Sequence, residues 1–287
     1  MKLIFKLKIK LKSLYILIFE IFQDIVDLPI FFKKGIPFRI INPNRIFSPN
    51  RKGYFFNYVR GGLCQKKLLL KYADLNKNSK ILDCGCGAGK LAYSLKNFFD
   101  TGSYYGFDIE KKTINFLKKN HKKFDFNYHN LYYLKNKSKN DAAQINFNYE
   151  DKTFDIICTF SIFTHQPTEV LENYLKQFSN IIKPGGITFN TFYIVDENKK
   201  DKIKDQYNLY GHKINLNVSN NKYYTSKKES EFEKELDLIH HDIYYDKNYL
   251  LDTFEKYNFS LIKEDYGMLS GKKSEYGTQD FLVHKRN

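Results

Sequence analysis

The chain has 287 residues, 42% of them hydrophobic, and a formal net charge of +15; this excludes wholesale disorder and suits one large α/β domain or a core with an appended segment. The charge invites a nucleic-acid reading, yet only five of the 47 basic residues are arginine: Arg39, Arg45, Arg51, Arg60 and Arg286. Arginine is the bidentate reader of phosphates and base edges, so nucleic acid is an unlikely partner; an AT-rich coding bias, an anionic substrate and a membrane surface stay open.

Residues 1–34 carry lysines at positions 2, 6, 8, 10 and 12 among Leu, Ile and Phe, followed by the uncharged run Ser13 to Phe19. That run falls far short of the ~20 apolar residues of a membrane span, and no small-residue cleavage site follows it. Two readings stay open. The segment is a basic amphipathic stretch lying on an anionic membrane, or a helix covering the core or an oligomer contact. Pro37, Pro43 and Pro49 mark a connector, so residues 1–50 form a unit apart from residues 51–287. Oligomeric state is not legible here.

Tyr54 to Tyr72 is expected to be helical in its second half, breaking at Asn76-Lys77-Asn78-Ser79. From Lys80 strands and helices alternate: strand Ile81-Leu82-Asp83, helix Lys90 to Phe99, strand Tyr104 to Asp108, a helix through Ile114, Phe116 and Leu117, and strand Phe124 to Tyr128. Strand Phe154 to Phe160, helix Val170 to Ile182, the turn Lys183-Pro184-Gly185-Gly186 and strand Ile187 to Val195 follow. Residues 196–246 lack a period and read as an insertion, either a substrate lid or a partly disordered stretch. A helix from Lys247 to Tyr257 and strands at Ser260 to Lys263 and Phe281 to His284 close the chain. The expected fold is α/β: a Rossmann-like, doubly wound, mostly parallel sheet of about seven strands with an antiparallel closing hairpin.

The strongest chemical signal is Asp83-Cys84-Gly85-Cys86-Gly87-Ala88-Gly89, where a strand delivers alternate glycines to a helix. Glycines there let backbone approach a ligand without a Cβ in the way. The spacing is neither the dinucleotide G-x-G-x-x-G nor a phosphate loop ending in Lys-Ser/Thr. Asp83, inside the turn, would repel a pyrophosphate; it faces an ammonium group or serves only as a loop acceptor. The four cysteines, Cys64, Cys84, Cys86 and Cys158, form no C-x-x-C pair. Reduced thiols in a cytoplasmic protein and no metal are the expectation. His240 and His241 beside Asp242 read as a base, metal ligands or ordinary surface.

Leu82-Asp83-x-Gly85-Cys86-Gly87-x-Gly89 resembles the first motif of the class I S-adenosylmethionine-dependent methyltransferases. Gly106-Phe107-Asp108-Ile109 is similar to the family's second strand with its terminal acid, and Phe154 to Ile157 with Ser161-Ile162-Phe163-Thr164-His165 to its fourth-strand motif. Ile182 to Gly186 resembles the turn before strand five. The likeness covers Lys80 to Val195, with a weaker echo of a bacterial small-molecule or sugar-type subgroup at Gly271 and Gln279-Asp280-Phe281.

The resemblance implies a methyltransferase domain over residues 51–287, S-adenosyl-L-methionine as cofactor, and a small-molecule or carbohydrate acceptor methylated on oxygen. A membrane-peripheral lipid or quinone enzyme, a nucleic-acid methyltransferase and a non-catalytic cofactor-binding module are the alternatives. It implies a cofactor site from Asp83, Gly85, Cys86, Gly87, Gly89, Asp108, Ile109 and Phe160, with Asp108 accepting from both ribose hydroxyls. Asn130 stands where the family often has an Asp beside the adenine, and its oxygen can still accept. His165, past strand four, is the candidate general base, or else packs against cofactor or caps the next helix. Arg60 reaches the cofactor carboxylate or is a surface residue, and Tyr132 and Tyr133 are candidates for shaping an acceptor pocket.

Overall fold

A computed structural model describes residues 54–129, 146–196, 217–219, 223–226, 242–267 and 274–287. Helix α1 (Tyr54–Tyr72) is continuous, correcting the expectation that only its second half is helical. Its tail buries Leu68 and Leu69, and Asp74 turns the chain at φ 51°. Strand β1 (Lys80–Cys84) is buried at every position after the first, as a central strand covered on both faces must be. Helix α2 (Lys90–Ser94) is one turn long rather than running to Phe99.

Strand β2 (Ser103–Asp108), helix α3 (Lys111–Asn120), strand β3 (Asp125–Tyr128) and strand β4 (Phe154–Thr159) follow. After a 3₁₀ turn at Phe163–His165 comes helix α4 (Thr168–Ile181). It buries Val170, Leu171, Tyr174, Leu175, Phe178 and Ile181, the 3.6-residue period of a helix laid on a sheet. Strand β5 (Ile182–Phe192) absorbs Lys183 to Gly186 as a bulge, since Phe154 faces Ile182 while Ile156 already faces Ile187. Gly185 takes φ 77° there, so the expected turn lies inside the strand.

Strand β6 (Ile194–Val195) leads to the region read as an insertion. Its described parts are strands, β7 (Asn217–Ser219), β8 (Tyr223–Ser226) and β9 (Asp242–Asp246), and the rest of residues 197–246 lies outside the described residues. The strands form a second sheet in the order β6-β9-β8-β7. Helix α5 (Lys247–Lys256) is capped by the Asp246 carboxylate, which accepts from Tyr249 N–H. Strands β10 (Phe259–Asp265) and β11 (Asp280–Arg286) complete the main sheet.

That sheet has seven strands in the order β3-β2-β1-β4-β5-β11-β10, with β11 antiparallel to both neighbours and the strands from β3 to β5 parallel. One apolar layer gathers Leu68, Leu91, Ile114, Phe126 and Phe189, and the other Phe107, Leu175, Phe178, Phe192 and Phe254. The strand order reverses between β1 and β4. In open α/β sheets the ligand crevice lies at the carboxyl ends of strands at such a point, which here are Cys84 and Thr159. Among the described residues no helix is long and apolar enough to cross a membrane, and no group of three or more His, Cys, Asp or Glu is placed to hold a metal. Residues 1–34 lie outside the described part.

Candidate active site

The turn after β1 takes its shape from three left-handed glycines, Gly85 (φ 70°), Gly87 (φ 52°) and Gly89 (φ 82°). At Gly85 a Cβ would lie 2.0 Å from Ile162 Cδ1, and at Gly89 one would lie 2.5 Å from Leu117 Cδ2. Neither site tolerates a side chain in place. The turn is tied to the end of β2: Gly87 N–H donates to Asp108 Oδ2 (2.8 Å) and Cys86 N–H to the Phe107 carbonyl (2.9 Å). The other Asp108 oxygen accepts from Glu110 N–H at 3.0 Å. Ile109, next to that carboxylate, is 42% exposed. From α1, Tyr58 O–H reaches the carbonyls of Ala88 (3.1 Å) and Gly89 (2.9 Å).

Asp83 sits beneath the turn rather than on its open side. It is buried, accepts from Tyr104 O–H at 2.6 Å, and has the Cys158 thiol 3.8 Å from its other oxygen. Burial pushes its carboxyl up to about 7, against the pull of those two donors and with Asp108 adding to the rise. Burial also holds the Cys84, Cys86 and Cys158 thiols well above their usual range, next to that carboxylate. They are packing groups, not nucleophiles. Cys86 lies against Gly106, where a Cβ would come within 3.1 Å of its own Cβ.

The chain leaves β4 through Ser161, a non-glycine residue at φ 62°. Such conformations persist where neighbours over-determine them. Ser161 N–H donates to Thr191 Oγ1 (2.7 Å), and its hydroxyl to Gln279 Oε1 (3.1 Å). This bend lays Ile162 on Gly85 and brings His165, exposed on the 3₁₀ turn, to the carboxyl edge of the sheet. Phe160 turns the other way: its ring packs between Phe189 and Tyr276, each 5.3 Å between centroids, in the apolar layer under α1. The second sheet stands beside the same turn, with Tyr245 O–H donating to the Gln166 carbonyl.

The structure thus brings together Gly85, Cys86, Gly87, Gly89, Asp108 and Ile109, with His165 on the same edge, and sets Asp83 below and Phe160 aside. Asn130, Tyr132, Tyr133, His240, His241 and Gly271 lie outside the described residues. Arg60 is exposed on α1. Sequence reasoning missed Tyr58, Tyr104, Ile162, Thr191 and Gln279. Ile162 carried a signal in its place inside the fourth-strand motif and Gln279 in the closing echo; the contacts of Tyr58, Tyr104, Thr191 and Gln279 span 21 to 118 positions of sequence.

The donor set suits S-adenosylmethionine: a turn of alternate glycines, a carboxylate with spare lone pairs at the end of β2 and an exposed apolar residue beside it. Residues 75–237 match the family described as a methyltransferase domain. Sterol 24-C-methyltransferase of Candida albicans is 27% identical over 181 residues, 63% of this chain and 45% of that protein. Ubiquinone biosynthesis O-methyltransferase of Pelagibacter ubique is 27% identical over 154 residues, 52% of this chain and 57% of that one. The chain spans about half the length of these curated relatives. Among solved structures, the PH0226 protein of Pyrococcus horikoshii aligns over 86% of this chain and 99% of its own at 17% identity and a TM-score of 0.54. A Burkholderia thailandensis 1,6-didemethyltoxoflavin-N1-methyltransferase, solved with S-adenosylhomocysteine, covers 81% of this chain and 80% of its own at 10% identity and a TM-score of 0.51; both share the fold. The glycine turn bonded to the acid of β2 at the switch point, within a matched methyltransferase domain, places the chain in the class I S-adenosylmethionine-dependent methyltransferase family.

Proposed function

We propose that the protein transfers the methyl group of S-adenosylmethionine to a hydroxyl of a small-molecule acceptor. The observation that carries this reading is the Gly87 N–H to Asp108 bond, which joins the turn and the acid of β2 into one cradle. The bound cofactor supplies an electrophilic methyl carbon on a sulfonium, and the rest of the work is positioning. Asp108 keeps lone pairs for two ribose hydroxyls, and Ile109 offers an apolar face to a purine. The three glycines, Gly85, Gly87 and Gly89, let the methionyl part lie close to the backbone. Asp83 supports the turn from below. His165 takes the proton of the acceptor hydroxyl, a role needed only where the acceptor must lose one.

For the acceptor, the sugar-type subgroup resemblance favours a carbohydrate hydroxyl. A second reading, a quinone or lipid acceptor met at a membrane, is favoured by the two curated relatives, a sterol and a ubiquinone-pathway methyltransferase.

Calorimetric titration with S-adenosylhomocysteine tests the cofactor site. Asp108→Ala should weaken binding about 10- to 100-fold for each ribose hydrogen bond lost, since hydrogen bonds to a charged group contribute roughly 1.5–3 kcal/mol each; an unchanged affinity sinks the ribose assignment. Labelled methyl transfer to a panel of sugars and to hydroxylated quinones in vesicles separates the two acceptor classes. With the acceptor in hand, His165→Gln should remove one limb of the pH–rate profile, and superimposable profiles would reject the base.

A further inference from the structure

Ile162 fills the space over Gly85, where an added Cβ would fall 2.0 Å from its Cδ1. The residue that aims it there is Ser161, whose φ of 62° is left-handed. Such backbone is costly for any residue with a Cβ, which crowds the following carbonyl oxygen, and it lasts only where neighbours over-determine it.

Two groups hold this bend. On the backbone side, Ser161 N–H donates to Thr191 Oγ1 (2.7 Å), and the Thr191 hydroxyl is anchored in turn on the Thr159 carbonyl (3.4 Å). On the side-chain side, the Ser161 hydroxyl donates to Oε1 of Gln279 (3.1 Å), 118 positions later in the chain. The Tyr276 hydroxyl, which accepts from Gln65 Nε2 of α1 (3.2 Å), lies beside the same hydroxyl.

Gln279 itself has little freedom. Its carbonyl accepts from Ser274 O–H (2.6 Å). The next residue, Asp280, is buried, and its two oxygens accept from Ile194 N–H and Gly267 N–H, each at 2.6 Å. Gly267 comes so close that a Cβ there would fall 2.5 Å from the Thr278 carbonyl oxygen. The segment entering β11 is thus pinned at the carboxyl edge of the sheet, and the Gln279 amide is a fixed stop for the bend.

We propose that Gln279 is a positioning residue of the cofactor site: by accepting from the Ser161 hydroxyl, it holds the left-handed bend that keeps Ile162 over Gly85. This role rests on the glycine turn being the cofactor site, and is independent of the acceptor and of His165.

The test uses the full chain, with S-adenosylhomocysteine affinity read by calorimetry and the Ile162 δ1-methyl signal, assigned through Ile162→Val, read by NMR. Gln279→Met keeps the side chain's length and removes the acceptor, whereas Gln279→Glu keeps the acceptor. Gln279→Met should weaken binding about 3- to 10-fold, as the loss of one neutral hydrogen bond implies, and move the Ile162 signal, while Gln279→Glu stays within about twofold of the parent. Glycine takes positive φ freely, so Ser161→Gly/Gln279→Met should bind more tightly than Ser161→Ala/Gln279→Met. A merely structural role for Gln279 would not give that recovery. Should Gln279→Met fail to fold, Ser161→Ala against Ser161→Gly makes the same comparison. A parent that does not bind S-adenosylhomocysteine would remove the cofactor site and this role with it. A parent that binds, beside a Gln279→Met variant of equal affinity, an unmoved Ile162 signal, an equal loss in Gln279→Glu or no recovery with glycine, would overturn the positioning role alone.

Discussion

Asp83→Asn should make the protein more stable at neutral pH, by an amount that depends on pH in a defined way. The carboxyl lies buried under the glycine turn and is held at about 7 rather than 3.8. A folded-state value above the unfolded one means the native protein keeps a proton that the unfolded chain releases. The resulting stability is fully present below about pH 4 and is lost as pH rises through about 7. The whole shift corresponds to about 4 kcal/mol. Asparagine keeps an acceptor for Tyr104 O–H and cannot ionise, so the variant avoids this loss. His121 and His284, held down at about 4 and about 3 by burial, push in the opposite direction: their stability is present above 6.5 and lost on acidification. They occur in both proteins and cancel in the difference. Urea unfolding of parent and variant at about pH 4.5, 6 and 7.5 should therefore show the gap widening by about 3 kcal/mol across the series. Parallel stability profiles would show that the carboxylate is not desolvated and that its place in the packing is wrong.

Gly85→Ala should cripple cofactor binding, because its Cβ meets Ile162 at 2.0 Å and φ is left-handed. Adding Ile162→Ala should restore the space but leave a backbone cost of about 1 kcal/mol, measurable by denaturation; no recovery in the pair would refute the steric account. His284 has no partner for either ring nitrogen and stacks on Phe254 with 3.7 Å between centroids. His284→Leu should remove about 3 kcal/mol of the parent's stability loss between neutral pH and about pH 4, seen as a lower acid-unfolding midpoint. Tyr58→Phe should cost about 1 kcal/mol of stability through the lost hydroxyl and weaken S-adenosylhomocysteine binding, whereas unaltered calorimetry would detach α1 from the turn.

What the sequence made legible was local. The glycine spacing from Gly85 to Gly89 and the acid closing β2 are read from a few neighbouring residues, and the β–α alternation follows from period. Most misreadings concern information carried elsewhere in the chain. Helix α2 ends with Leu95 as its C-cap, although Leu95, Phe98 and Phe99 keep an apolar period, and beyond it Phe99 packs against Phe124 just before β3. Phe160 has the right place in its motif, yet its ring turns into the layer where Phe189 and Tyr276 wait, residues 29 and 116 positions later. Strands β7 and β8 are three and four residues long, too short to show a period, and they are strands by pairing, β7 with β8 and β8 with β9.

The same contrast explains why the cradle's shape is over-determined. A glycine turn alone is free to adopt many conformations, and that freedom is an entropic cost to any ligand that must order it. Here three separate elements hold the turn: Tyr58 of α1 on the carbonyls of Ala88 and Gly89, Asp108 of β2 on Gly87 N–H, and Ile162 of the turn after β4 lying on Gly85. The approach of α1 itself depends on Gly62, where a Cβ would fall 2.2 Å from the Lys90 carbonyl oxygen. Helix α1 precedes the matched methyltransferase domain, which begins at residue 75, and yet it closes one side of the turn. Helix α1 is therefore part of what shapes the turn, and cofactor affinity should respond to substitutions at Tyr58 and Gly62 as to those in the glycine turn.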